Sequence, residues 1–323
     1  MKTKQKPVMI AVAAVCIIGL PFVMTAMNFN YGILIACFAC LYIIASSGLD
    51  IDFGFCGQIS MGHAAFFAIG AYGSALLHKY TGLPILVTMF LASILAAVVG
   101  AVIAYPASKL VFHFLSLSTI AFGEIVYTFL LNSPGGVTGN AVGLFVDKVS
   151  IFGFELDSYT KFYFFGIICL ILFILVKQLL IDSRVGRAWI AIRENPRAAN
   201  GMGINVTKYK VLAFAVSALF TGYAGAMYAH LVGYIGPDTF TMKQSVMFVT
   251  MMLFGGTGSM WGPAIGAVLI LLLTEGLRVF EQYQMLIYGI VLLLVIILLP
   301  GGVYGEAKNL IKRHTGARRK ETV

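Results

Sequence analysis

Long apolar runs separated by short polar links constrain the fold of this chain more than any other feature. A helix needs about 20 predominantly apolar residues to cross a bilayer. Charged residues make up 11% of the 323 residues, against about 25% in soluble domains, which excludes a soluble enzyme, a disordered chain and a secreted disulfide scaffold. We predict a single all-α polytopic membrane domain over residues 1–323 with about ten transmembrane helices. The predicted spans are 8–27, 31–50, 59–78, 85–105, 111–131, 161–181, 211–232, 244–260, 262–281 and 285–300.

Some of these spans have more than one interpretation. Three lysines precede the first run, as in a signal peptide, but the length of that run and its lack of a small-residue cleavage site favour an uncleaved helix. Segment 111–131 is the weakest span, because it carries Glu124 and several Ser, Thr and Gly residues. Only a glycine-rich turn separates the eighth and ninth spans. Segments 111–131 and 244–281 are therefore compatible with full spans and with re-entrant half-helices.

The distribution of basic residues predicts the orientation. Fifteen of the 22 Lys and Arg residues fall in the N-terminal tail, in segment 182–210 and in the C-terminal tail 301–323. Basic loops stay in the cytoplasm, so we expect all three segments, and with them both termini, to be cytoplasmic. Ten helices then place segment 132–160 outside. The net charge of +9 is explained by topology, and we expect no nucleic acid as a partner.

The sequence contains none of the common short motifs for nucleotide binding, hydrolysis or metal binding. It contains no G-x-x-x-x-G-K-[ST] phosphate loop and none of the G-x-S-x-G, H-E-x-x-H or calcium-loop patterns. The five histidines show no ligand spacing. Cys37 and Cys40 form a C-x-x-C pair in an apolar run, which we interpret as small apolar fillers. We therefore expect no catalytic residue, no metal and no cofactor on this chain.

Segment 182–210 contains the signals of a short helix. Asn195 followed by Pro196 is a typical N-cap and first helical residue, and Gly201 and Gly203 offer a C-cap. The pattern predicts a helix of about two turns between two longer helices. Such a helix suits docking into a groove of a partner. The alternative is a solvated loop that only sets the topology.

Small residues form a second pattern inside the predicted spans. Gly258, Gly262 and Gly266 recur every four residues, which predicts one helix face that allows two backbones to approach closely. Segment 59–78 carries a similar small face beginning at Ser60. These faces fit ordinary helix packing and also fit the lining of a permeation path. Our candidates for the pathway or for helix packing are Ser60, Gly62, His63, Glu124, Gly258, Gly262 and Gly266.

Ionisable residues inside the membrane mark function by default. We identify Glu124 as the clear mid-span case. Glu275, Arg278 and Glu281 follow at intervals of three near the end of the ninth span, where they can pair with one another. A single mid-span carboxylate is thin support for a proton- or sodium-coupled carrier.

Three stretches together resemble a known family. They are GQISMGHAAFFAIGAY from Gly57 to Tyr72, FGGTGSMWGP from Phe254 to Pro263, and the segment from Gly186 to Tyr209. The chain resembles the permease subunits of bacterial branched-chain amino acid ABC importers, and specifically the M-type (LivM-like) subunit. Ala198-Ala199-x-x-x-Gly203 is similar to the E-A-A-x-x-x-G signature of importer membrane subunits, with Arg197 in place of the glutamate.

The resemblance implies an ABC importer permease bundle in the bacterial cytoplasmic membrane. The implied partners are an H-type permease homologue, two ATPase subunits that bind the ATP, and an extracytoplasmic protein that delivers leucine, isoleucine or valine. Urea or short amides are alternative substrates, and a secondary carrier that works alone is the alternative class. The residues that the resemblance assigns to ATPase coupling are Arg193, Glu194, Asn195, Pro196, Arg197, Ala198, Ala199 and Gly203.

Overall fold

The computed structural model describes residues 19, 21–25, 30–108, 112–151, 154–277 and 301–306, together with positions 283, 286–287, 289–290, 293–294 and 297. Most of the predicted spans 8–27 and 285–300 lies outside these residues. The same holds for Arg278, for Glu281 and for most of both basic tails.

In this described part, eight helices coincide with the second to ninth predicted spans, and two further helices form segment 182–210. Four short strands pair in two antiparallel pairs, β1 with β4 and β2 with β3. The helices are α1 Asn30–Asp50, α2 His63–Thr81, α3 Ile85–Ala107, α4 Phe112–Leu131, α5 Tyr159–Asp182, α6 Arg184–Glu194, α7 Pro196–Gly201, α8 Val206–Val232, α9 Met242–Gly255 and α10 Gly262–Gly276, and the strands are β1 Leu144–Phe145, β2 Ser150–Ile151, β3 Phe154–Glu155 and β4 Tyr234–Ile235.

Five of the described helical segments are long and apolar enough to cross a membrane. Large apolar side chains on their outer faces, such as Val102 and Leu179, are exposed in the isolated chain, as expected of surfaces that face lipid. The chain is therefore a mostly helical polytopic membrane protein. The five segments are Asn30–Phe55, Ile85–Ala107, Phe114–Leu131, Tyr159–Asp182 and Val206–Val232.

Helix α8 forms the centre of the bundle and packs against α1, α2 and α3. Glycines bring the backbones together at these crossings. A β-carbon on Gly70 would overlap the backbone of Gly222, and one on Gly225 would overlap the backbone of Phe67. Close backbone approach through small residues is the usual way in which helices associate in lipid, so the composition of α8 explains its central position.

The bundle has two distinct ends. At one end, the side chain of Arg193 on α6 lies against Gly57 and Gly258, and the backbone of Gly301 lies close to Gly256. At the other end, β1 pairs with β4, and His78 at the end of α2 lies 3.5 Å from Asp147. The α6–α7 segment and the start of the C-terminal tail thus share one end, and segment 132–160 lies at the opposite end.

Helices α9 and α10 form a hairpin. The fourteen residues of α9 extend about 21 Å at 1.5 Å per residue, which is less than the ~30 Å of a hydrocarbon core. Phe240, just before α9, packs on Phe67 and Tyr72 in the middle of α2. The helix therefore begins inside the bundle, which favours the half-helix alternative for this segment.

Two details of the predicted small faces are wrong. Gly258 lies in the turn between α9 and α10 with φ +66°, so it does not share a helix face with Gly262 and Gly266. Ser60 lies before the first residue of α2 and does not belong to a helix face either. A spacing of four residues implies a common face only while the chain remains helical, and in both places a glycine-rich break interrupts the helix.

Candidate functional site

A break in the helical chain lies between α1 and α2. Helix α1 continues as a π-helical turn over Ile51–Phe55, and residues 57–62 are irregular. The Met61 amide donates to Thr119 Oγ1 at 3.0 Å. Because Thr119 lies seven residues inside α4, or about 10 Å, the break is at membrane depth. Irregular backbone at that depth is tolerated only where protein buries it or where it lines a water-filled cavity.

The side chains at this break form a buried polar cluster. His63 Nδ1 lies 3.1 Å from Ser60 Oγ, and its Nε2 lies 2.7 Å from Ser217 Oγ on α8. A β-carbon on Gly62 would overlap the carbonyl group of Thr119. The predicted pathway candidates Ser60, Gly62 and His63 therefore come together, and Gly62 and His63 hold the break against α4 and α8.

A second break, residues 256–261, forms the turn of the α9–α10 hairpin. Ser259 Oγ donates to the Gly256 carbonyl at 3.0 Å and accepts from the Gly262 amide at 2.8 Å. A β-carbon on Gly266 would overlap the backbone oxygen of Met251. Gly262 and Gly266 are thus required for close packing inside the hairpin.

A completely buried ion pair joins the second break to the bundle. Lys177 Nζ on α5 lies 2.9 Å from Asp50 Oδ2 at the end of α1, and both side chains have no exposed surface. Asp50 Oδ1 accepts from the Gly258 amide at 2.6 Å, and Lys177 Nζ donates to the Ser259 carbonyl at 3.3 Å. This pair was not predicted from the sequence, although Lys177 falls within the predicted span 161–181.

Arg193 brings helix α6 into the same region. Its guanidinium donates to the Gly54 carbonyl, and its side chain passes Gly57, where a β-carbon would approach the Arg193 side chain to 3.1 Å. A β-carbon on Gly258 would lie 2.6 Å from Arg193 Nη1. We call Asp50, Lys177, Arg193, Gly54 and Gly258 the charged junction.

A second buried carboxylate lies beside the charged junction. Asp52 has no exposed surface, and its Oδ1 accepts from Gln58 Nε2 at 2.6 Å. The same Gln58 nitrogen lies 3.0 Å from the Lys210 carbonyl in the first turns of α8. Gln58 thereby connects the first break to the helix that follows the α6–α7 segment.

Helix α6 was not predicted from the sequence. Ser183 caps it by accepting from the Val185 amide at 3.0 Å. Its inner face carries Trp189 and Ile192, both fully buried, and the Trp189 indole donates to the Tyr209 carbonyl at 2.9 Å. Segment 182–210 is thus packed onto the end of the bundle.

The short helix α7 begins and ends as predicted. Asn195 Oδ1 accepts from the amides of Arg197 and Ala198 at 3.0 and 3.1 Å. At the other end, Gly203 has φ +83°, and the Ile204 amide donates to the Ala199 carbonyl at 3.1 Å, which is the Schellman arrangement.

The two alanines of α7 differ in their exposure. Ala199 is buried against the bundle, with 4% of its surface exposed, and Ala198 is exposed together with Glu194 and Arg197. A groove of about 540 Å³ runs between α7 and the start of α8. It is lined by Pro196, Arg197, Asn200, Gly203, Ile204, Asn205, Val206 and Thr207.

Glu124 lies on an uncovered face of α4. Leu117, Ala121, Glu124 and Thr128 are all exposed and follow one another at intervals of three and four residues, so they share one side of the helix. A carboxylate that faces hydrocarbon costs about 2.5–3.5 kcal/mol on insertion scales. This face therefore requires water or a polar partner beside it.

The described residues contain no group of three or more His, Cys, Asp and Glu side chains that could hold a metal ion. Cys37 and Cys40 are buried free thiols on α1. Their environment is apolar, and Cys37 Sγ lies 3.4 Å from the Tyr159 carbonyl.

Comparison with known proteins places the chain among transport proteins. Residues 32–296 match the family described as "Branched-chain amino acid transport system / permease component". The chain is 30% identical to the high-affinity branched-chain amino acid transport system permease protein LivM of Salmonella typhimurium, over 98% of this chain and 79% of the relative. It is 31% identical to LivM of Escherichia coli over 89% and 73%, and 32% identical to LivH of Escherichia coli over 38% and 41%. No solved structure matches the chain.

Proposed function

Because this chain belongs to the family of branched-chain amino acid transport permeases, we propose that it is the M-type membrane subunit of an ATP-driven importer for leucine, isoleucine and valine. The observation that carries the proposal is the 30% identity to a LivM permease over nearly the whole chain. The complex lies in the bacterial cytoplasmic membrane and contains an H-type permease homologue, two ATPase subunits and an extracytoplasmic binding protein.

The ATPase subunits dock at the α6–α7 segment. Support comes from its construction, because α7 has a cap at each end and α6 is anchored by the buried Trp189. The exposed side of the α6–α7 segment, with Glu194, Arg197 and Ala198, and the groove beside α7 face away from the bundle. A capped helix on a rigid base can transmit a displacement, whereas a solvated loop would absorb it.

ATP binds to the partner subunits and not to this chain, which has no phosphate loop in its sequence. ATP binding closes the ATPase pair and moves the α6–α7 segment, which switches the side on which the bundle is open. Such a switch requires only that ATP and substrate bind the two arrangements with different affinities.

The second permease subunit covers the face of α4 that carries Glu124. The energetic cost of a carboxylate in lipid supports this position, as does the exposure of the neighbouring Ala121 and Thr128. The translocation path then runs between the two permeases, with Glu124 among its polar groups.

Reconstitution of all subunits in vesicles tests the proposal. We expect uptake of labelled leucine to require the binding protein and ATP, and to stop when the ATPase subunits are left out. The purified chain alone should show no micromolar affinity for ATP. Uptake that persists without the ATPases would identify a secondary carrier instead, and uptake of urea in place of leucine would correct the substrate.

A further inference from the structure

The buried Asp50–Lys177 pair is not explained by stability. Removing two charges from water costs several kcal/mol per ion, and the replacement of buried ion pairs by apolar residues is often neutral or stabilising. The Asp50–Lys177 pair is therefore expected to have a role other than stabilising the helix bundle.

The contacts of the pair indicate what that role is. The turn 256–261 has irregular backbone that is mostly half-buried at the α6 end of the bundle, and amides and carbonyls that are shielded from water without a partner cost free energy. Asp50 accepts from the Gly258 amide at 2.6 Å, and Lys177 donates to the Ser259 carbonyl at 3.3 Å. The two charges therefore hold two consecutive residues of the turn.

The same turn is in contact with α6. Arg193 donates to the Gly54 carbonyl, four residues after Asp50, and its guanidinium lies beside Gly258. Gly54 must lack a side chain, because a β-carbon there would overlap Asp50 Oδ1. Arg193, the Gly54 carbonyl and Asp50 thus connect α6 to the hairpin turn.

We propose that the charged junction mechanically connects α6 to the α9–α10 hairpin, with Asp50 as the positioning residue that holds the Gly258 amide. The proposal rests on the proposed function, since the displacement that it transmits comes from the ATPase subunits. When α6 moves, Arg193 and Gly54 carry the turn with it, and the hairpin follows.

Two matched double variants separate this role from that of a structural ion pair. Both Asp50→Leu/Lys177→Met and Asp50→Asn/Lys177→Met remove both charges. The asparagine variant keeps an oxygen that accepts from the Gly258 amide, and the leucine variant does not. In the reconstituted complex, we expect the leucine variant to lose about ten-fold in uptake per ATP hydrolysed, within the range typical of coupling between sites. The asparagine variant should stay close to wild type.

Arg193→Met provides a second, independent measurement, because this residue is partly exposed at the end of the bundle, so we expect its loss to leave the fold intact. Arg184→Met, at the exposed start of the same helix, is the control. We expect Arg193→Met to lower uptake per ATP in the wild-type background and to add nothing in the leucine variant, since both changes interrupt the same connection.

The possible outcomes distinguish a failure of the proposed junction from a failure of the proposed importer function. Equal behaviour of the two double variants, whether both are active or both inactive, would overturn the junction, as would additive effects of Arg193→Met. If the wild-type complex shows no ATP-driven uptake, the proposed function fails instead. In that case the junction is tested without transport, by introducing Trp261→Cys at a half-exposed position of the turn. Its thiol-labelling rate should change in the leucine variant and not in the asparagine variant, and equal rates would overturn the junction.

Discussion

Gly266 on α10 lies directly against the backbone oxygen of Met251 on α9, so closely that a β-carbon on Gly266 would overlap that oxygen. The obstacle is backbone and not a flexible side chain, so the hairpin cannot accommodate even one methyl group without moving a helix. The contact defines the spacing of α9 and α10.

Gly266→Ala should therefore destabilise the hairpin. We expect a cost of about 1–3 kcal/mol, as for overpacked interiors, measured as a lower melting temperature of the purified protein in detergent. Gly276→Ala is the matched control, because no described atom lies within 4 Å of a β-carbon at that position. Equal melting temperatures for the two variants would show that the hairpin is looser than this contact implies.

The C-terminal cap of α7 offers a second matched pair of glycines. Gly203 has φ +83°, and a left-handed conformation costs a residue with a side chain about 1–2 kcal/mol. Gly201 is helical, with open space around it. We expect Gly203→Ala to reduce substrate-stimulated ATP hydrolysis and uptake together at normal expression, and Gly201→Ala to leave both unchanged. Normal transport by Gly203→Ala would show that the cap is dispensable.

The two alanines of α7 should respond differently to a bulky side chain. Ala199 faces the bundle, so Ala199→Trp should displace α7 and lower the yield of folded protein. Ala198→Trp, on the exposed side, should leave the fold intact and block binding of the ATPase subunits, measured by co-purification. The idea of a docking face fails if Ala198→Trp still co-purifies with them normally.

The parts predicted correctly from sequence are those that depend on local signals. The apolar runs located eight of the described helices, and the Asn195–Pro196 dipeptide located α7. The family resemblance, which was drawn from contiguous stretches, was also correct, because the chain is 30% and 31% identical to two LivM relatives over most of its length.

The parts missed depend on contacts between distant residues. Asp50 and Lys177 are 127 positions apart, and each stands near the end of an apolar run, where a charge is normally solvated. Helix α6 was not predicted because its arginines are typical of a solvated loop. Ser183 at its N-cap and the buried Trp189 nevertheless indicate a capped helix with an apolar face. Gly258 was assigned to a helix because its spacing from Gly262 fits a helical period, and only the positive φ reveals the turn.

At the opposite end of the bundle, His230 connects segment 144–151 to the helices. Its Nδ1 donates to the Asp147 carbonyl at 2.6 Å, so its neutral Nε2 accepts from Ser74 Oγ at 2.8 Å. His230→Phe leaves the Asp147 carbonyl without its partner, at a cost of about 1–3 kcal/mol, while Ser74 Oγ keeps its contact with Thr88 Oγ1. We expect faster trypsin cleavage after the exposed Lys148. His78→Phe is the control, because its contact with the exposed Asp147 carboxylate is worth little, and equal cleavage rates in both variants would contradict the role of His230.

The orientation of the chain can be tested with two positions at opposite ends of the bundle. Phe145 beside β4 is 88% exposed, and Met202 after α7 is 84% exposed, so a cysteine at either position should react readily. On a cysteine-free background, we expect Phe145→Cys to be labelled by a membrane-impermeant maleimide on intact cells. Met202→Cys should react only after permeabilisation, because the basic residues of segment 182–210 hold it in the cytoplasm.

The matched exposure of the two positions means that a difference in labelling reports the side of the membrane and not the reactivity of the thiol. Labelling of Met202→Cys on intact cells would reverse the orientation and remove the ATPase docking site from α7.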